Sequence, residues 1–135
     1  MNVVLDTYVV VSAVLSEGGP CARLLDMLVG GAFQLRADDR LLGEYDAVLR
    51  RPELRIAPAD ADIVMELIRR VALPVVAAPL PVGLPDPDDL PFLEVAAAAG
   101  AVLVTGNARH FPRRACKSVT VVSPKECLEL LRRLA

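Results

Sequence analysis

One histidine and three cysteines are all that this 135-residue chain offers as imidazole or thiolate metal ligands. Cys21, Cys116 and Cys127 lie far apart. An odd count with no short spacing excludes a zinc knuckle and a disulfide framework. Free thiols suit a reducing compartment, so a cytoplasmic protein is expected. A basic excess is also missing. The 15 Lys and Arg set against 17 Asp and Glu leave a net charge of −2, which argues against a simple nucleic-acid-binding module. It argues less against an enzyme acting on nucleic acid, because an acidic site cancels basic residues in the count. There is no Gly-rich phosphate cradle, since Gly18-Gly19 runs into Pro20 instead of a Lys followed by Ser or Thr. Residues 71 to 85 carry no charge, but Pro74, Pro79, Pro81 and Pro85 interrupt them, so they cannot form a membrane helix. Met1 leads through Val3, Val4 and Leu5 to the charge of Asp6, which is not the pattern of a secretory leader.

The chain does have enough apolar material for a core. Hydrophobic residues make up 54% and charged residues 24%, which makes disorder untenable and fits a single domain over residues 1–135. Val3-Val4-Leu5 reads as a buried first strand, and residues 7 to 15 as a turn and helix. Pro20 opens a helix with Leu24, Leu25, Leu28 and Val29 on its apolar face, ended by Gly30-Gly31. Phe33-Gln34-Leu35 is a second strand. Asp38 or Asp39 caps a helix whose stripe is Leu41, Leu42, Tyr45, Val48 and Leu49. Pro58 opens another, with Asp60 and Asp62 near its start and Arg69 and Arg70 near its end, as the helix dipole favours. Val75-Val76 is the expected third strand. A helix carrying Phe92, Val95, Ala96 and Ala99 ends at Gly100, and strands follow at 101–105 and 119–122. Ser123-Pro124-Lys125-Glu126 is a capping box for a last helix over 124–134. Strands alternating with helices predict a parallel sheet of about five strands covered on both faces.

Ligands of such sheets gather beyond the carboxyl ends of the strands. Asp6 stands at the end of the first strand and Thr105-Gly106-Asn107 at the end of the fourth, so both emerge at one rim. Asp6 as a mere helix cap is the competing reading. Glu44 borders the apolar stripe of its helix and Asp46 borders the other side, so periodicity does not choose between them. Asp88 and Asp89 precede a helix near its inner face, where N-capping is the local alternative, and Asp86-Pro87 fits a turn. Carboxylates gathered at one rim repel each other unless cations neutralise them. Hard divalent ions bind such oxygens, activate a bound water and stabilise a leaving oxygen, so phosphodiester hydrolysis is the matching reaction class.

Four segments carry a family resemblance: Val3-Val4-Leu5-Asp6-Thr7; Leu41-Leu42-Gly43-Glu44-Tyr45 with Val48-Leu49-Arg50-Arg51-Pro52; Asp86-Pro87-Asp88-Asp89 with Phe92-Leu93-Glu94 and Ala96; and Leu103-Val104-Thr105-Gly106-Asn107 with His110-Phe111-Pro112. In this order and spacing the chain resembles PIN domains, in particular the small VapC-like proteins assigned as toxins of toxin–antitoxin systems. The resemblance implies a three-layer α/β/α fold and an endoribonuclease dependent on Mg²⁺ or Mn²⁺. It implies that Asp6, Glu44 and Asp89 are the metal-binding, catalytic acids, with Asp86 in support. Asn107 stands where many relatives have a fourth aspartate, and Tyr8 where they have Asn. A homodimer and a small antitoxin partner are also implied. The alternative those two positions raise is a relative with weakened or lost catalysis that binds RNA or a protein.

Roles beyond the acids are read more openly. Arg109, Arg113 and Arg114 are the expected RNA contacts, although a solvated face is the bland alternative. The hydroxyls of Thr7 and Thr105 either brace the acids or cap loop backbone. His110, the only histidine, could orient a water or contact phosphate, but the favoured reading is a half-buried side chain packed beside Phe111. A receiver-like signalling domain also sets acids at strand ends, but it wants an acidic pair where this chain has Leu5 before Asp6.

Overall fold

Val3, Val4 and Leu5 point alternately to the two faces of a strand, yet all three are apolar, so both faces must be covered. The computed structural model, which describes residues 1–135, shows how. Strand β1 (Asn2–Leu5) is the middle of a five-stranded, fully parallel sheet ordered β3-β2-β1-β4-β5. Its partners are β2 (Gln34–Ala37) on one side and β4 (Val102–Val104) on the other, with β3 (Leu73–Pro74) and β5 (Val121–Val122) at the edges.

Between β1 and β2 come helices α1 (Thr7–Leu15) and α2 (Pro20–Val29), which pack on each other. Between β2 and β3 come α3 (Asp39–Leu49) and α4 (Pro58–Val71). Helix α5 (Leu90–Ala99) lies across β1, β2 and β4, and α6 (Pro124–Leu134) follows β5. The chain steps from β1 outward to β3, then returns past β1 to β4. The right-handed crossover rule therefore places the β3–α5–β4 connection on the face opposite the β1–α1–α2–β2 connection, giving three layers. The reversal makes β1 and β4 the switch point, where their carboxyl ends open a crevice.

Local chemistry sets the element ends as the sequence indicates. The Asp38 carboxylate accepts from Arg40 N and Leu41 N at the start of α3. Asp60 lies in the first turn of α4, and Arg69 and Arg70 in the last. Ser123 and Glu126 complete a reciprocal capping box on α6. Gly100 takes the left-handed conformation at the end of α5, at φ 59°, which a side chain would strain.

One strand differs from expectation. The edge strand is Leu73–Pro74, not Val75-Val76, and Val76 is 97% exposed. Helix α4 runs to Val71 and Ala72 is already extended, so pairing with β2 begins at once, Leu73 opposite Arg36 and Pro74 opposite Ala37. Arg36 Nη2 secures the register by donating to the Pro74 carbonyl at 3.1 Å. Proline is tolerated there because the strand is an edge.

Tyr45 ties α3 to the sheet beneath the site. It is fully buried, its hydroxyl donates to the Leu5 carbonyl, and its ring packs tilted against Phe92 of α5 at 6.2 Å. Burial raises its phenol's pKa, so it stays a donor across the physiological range. Tyr45→Phe removes the donor while keeping the ring. It is expected to cost about 1–2 kcal/mol, read as a lower urea midpoint with an unchanged m-value.

Candidate active site

β1 ends at Leu5, and the next residue is held on both sides of the switch point. Asp6 N donates to the Val104 carbonyl at 2.9 Å, continuing the β1–β4 ladder by one residue. One carboxylate oxygen of Asp6 accepts from Thr7 N at 2.8 Å, and the other accepts from Thr105 Oγ1 at 2.8 Å. Thr105 Oγ1 in turn accepts from Asn107 N at 3.1 Å. The Thr105 hydroxyl therefore braces the acid and caps the loop together. Asp6 likewise caps α1 and still belongs to the site. Thr7 Oγ1, by contrast, is buried without a partner.

Asp6 lines a cavity of about 600 Å³ at this rim, together with Thr7, Tyr8, Glu44, Arg51, Asp86, Asp88, Asp89, Asn107 and His110. The topology thus brings Asp6, Glu44 and Asp89 to one hollow from α1, α3 and the turn before α5. The ambiguity at α3 resolves by direction: Glu44 faces the cavity, whereas Asp46 bonds Arg50 at 3.1 Å on the other side. Asp86 accepts from Asp88 N at 2.9 Å and caps the short turn Pro87–Asp89. Asp89, at the start of α5, makes no capping bond, although capping is its local alternative.

Asp89 is buried, and its Oδ2 has no aligned hydrogen bond. His110 Nδ1 stands 3.1 Å from that oxygen. The half-buried histidine therefore faces the acids instead of only packing beside Phe111, as the less favoured reading of the sequence had it. Asp89's pKa is pushed up to about 6, by burial first and then by the charges of Asp6 and Asp86, against the opposing pull of His110. Burial also raises Asp6 above the usual carboxylate range, partly offset by its bonds from Thr105 and Thr7 and by nearby His110.

Other expected site residues stand apart. Asn107 lines the cavity, but its amide oxygen accepts from Arg109 N at 3.2 Å in the turn Ala108–His110. Arg109, Arg113 and Arg114 are exposed and none lines the cavity. The arginine that does is Arg51, whose Nη1 lies 3.2 Å from the Tyr8 hydroxyl. No three His, Cys, Asp or Glu side chains come close enough to enclose one ion. The acids converge on one hollow without forming a closed cage.

A parallel sheet with acids gathered beyond its switch point is an α/β fold whose site is short of positive charge. The chain belongs to the PIN domain family, a family of nucleases, whose model matches residues 2–109. The fold is similar to that of VapBC2 from Rickettsia felis bound to a DNA fragment from their promoter, with TM-score 0.62 and 14% identity over 91% of this chain and 98% of that one. It is also similar to FitAcB from Neisseria gonorrhoeae, with TM-score 0.55 and 17% identity over the same shares. No curated protein matches the sequence significantly. No helix is long and apolar enough to cross a membrane.

The raised Asp89 carboxyl has a consequence for stability. Its folded pKa lies above the ordinary 3.8, so the folded state holds the proton more tightly, and stability falls as pH rises through the window from 3.8 to about 6. Asp89→Asn removes this burden. In metal-free buffer the variant's gain in urea midpoint over the parent should be clear at about pH 7.5 and shrink towards about pH 4. An equal gain at both would show that Asp89 is not raised.

Proposed function

We propose that the protein is a metal-dependent endoribonuclease that hydrolyses RNA phosphodiester bonds, acting as the toxin of a toxin–antitoxin pair. The observation that carries this is the pair Asp6 and Asp89. Two buried carboxylates face one cavity, both are held above their ordinary range, and an oxygen of one lacks an aligned partner. That is a donor set short of positive charge.

The residues suit Mg²⁺ or Mn²⁺. The donors are all hard oxygens, and Mg²⁺ uses one or two carboxylates while keeping several waters, so an open arrangement fits better than a closed cage. Asp6 and Asp89 would hold the ion, with Glu44 and Asp86 on the cavity wall. A divalent ion there supplies a water nucleophile at neutral pH and charge stabilisation at the scissile phosphate. The chain's own residues do the rest. Thr105 and Thr7 N fix the rotamer of Asp6. The His110 imidazole stands beside Asp89 Oδ2, where it can orient a water or meet a phosphate oxygen. Family membership supports a nuclease. The named complexes among similar folds support an antitoxin partner, and the family resemblance supports a homodimer.

Asp6→Asn tests this reading with little risk to the fold. The amide oxygen can accept from Thr7 N and the amide nitrogen can donate to Thr105 Oγ1, once that hydroxyl turns. We expect the variant to lose Mn²⁺-dependent cleavage of single-stranded RNA, by at least about a hundredfold, with an unchanged circular dichroism spectrum. Undiminished cleavage overturns the assignment. In a second measurement Mn²⁺ should raise the Tm of the parent protein and leave that of Asp6→Asn and Asp89→Asn nearly fixed. An equal rise in all three would place the ion elsewhere.

A further inference from the structure

Among the side chains lining the cavity, five are acidic and only Arg51 is permanently cationic. A polyanion approaching such a wall is repelled at most points, so its retention needs contacts that do not depend on charge. The cavity offers one. Tyr8, in the first turn of α1 beside Thr7 and Asp6, lines the cavity with 55% of its surface exposed. Its ring is not part of the core, and its hydroxyl lies 3.2 Å from Arg51 Nη1.

Arg51 is itself well placed to hold that ring. Its backbone is fixed at the end of α3, with its N–H donating to the Val48 carbonyl and its carbonyl accepting from Leu54 N, both at 3.1 Å. The turn Pro52–Leu54 closes immediately after it. A tyrosine has only two side-chain torsions to order, and a bond at the tip removes much of that freedom before a ligand arrives.

Resting on the nuclease reading above, we infer that Tyr8 and Arg51 form a clamp for one unpaired nucleotide beside the acids. The base stacks on the Tyr8 ring, and a neighbouring phosphate lies on the Arg51 guanidinium. The substrate is then a single strand, because a base inside a duplex has no free face to offer. Stacking is indifferent to base identity, so the clamp positions a strand without choosing its sequence. Arg51 supplies the salt-dependent part of binding and Tyr8 the salt-independent part.

The test uses the full chain in an Asp6→Asn background, in which the RNA is not consumed, and a short fluorescently labelled single-stranded RNA read by anisotropy. Tyr8→Ala should weaken binding about tenfold or more, and Tyr8→Phe should stay within about threefold of the parent. Arg51→Ala should lower the salt slope by about one. The chain has no tryptophan, so Tyr8→Trp introduces a lone reporter. It should bind as tightly as Tyr8, with indole emission quenched by the single strand and unchanged by the matching duplex. Parent-like binding by Tyr8→Ala, or emission unchanged at saturating RNA, overturns the clamp. If that happens while Asp6→Asn has still lost cleavage, the clamp falls and the nuclease reading stands. If the parent protein neither binds nor cleaves the single strand, both fall.

Discussion

The hydrogen bonds that hold Asp6 across the β1–β4 seam are the constraint on which the site depends. Its backbone N–H bonds the β4 end, one carboxylate oxygen bonds the start of α1, and the other bonds Thr105. A buried carboxylate without such partners would simply protonate or leave. With them it remains where the sheet reverses its order, and every other acid is positioned relative to it. α3 brings Glu44 through the Tyr45 bond to Leu5, and α5 brings Asp89 through its packing on β1 and β4. The site is therefore an outcome of strand order more than of any loop.

That arrangement sets stability against chemistry. Burial pushes the Asp89 carboxyl upward, and the charges of Asp6 and Asp86 push it further against the pull of His110. A structure selected only for stability would have separated these groups or paired them with arginine. Arginine was available, because Arg50 sits one turn after Asp46 and bonds both Asp46 and Asp62. Electrostatic cost of this kind, concentrated in a concave site while surface charges nearby are matched, supports the nuclease reading proposed above.

Much of this was legible in the sequence because its physics is local. The Asp38 cap, the capping box at Ser123 and the glycine stop at Gly100 follow from neighbours within a few residues. Alternating strands and helices gave the parallel sheet, and the acids implied by the family resemblance line one cavity. What was hidden depends on distant partners. Val75-Val76 looks more strand-like than Leu73-Pro74, but the register is set by Arg36, nearly forty residues earlier. His110 read as packing because its partner Asp89 is remote in the chain. The arginines of 109–114 drew attention because they cluster along the chain, yet the cavity receives Arg51, carried there by the end of α3.

Two buried carboxylates of the same layer, Glu94 and Asp89, differ in how completely the chain satisfies them. Glu94, on α5, accepts from Arg40 Nη1 at 2.7 Å with one oxygen and from Leu80 N at 2.9 Å with the other, and Arg40 also bonds Asp38. Every charge in that set has a partner, and its effect is to fasten the proline-rich segment to α3 and α5. Asp89, five residues earlier, leaves one oxygen unaligned and faces other acids. Both belong to the same motif in the sequence, and composition cannot separate them. Satisfaction does: both oxygens of Glu94 are hydrogen-bonded within the chain, whereas Asp89 has only His110 beside its Oδ2 and faces other acids.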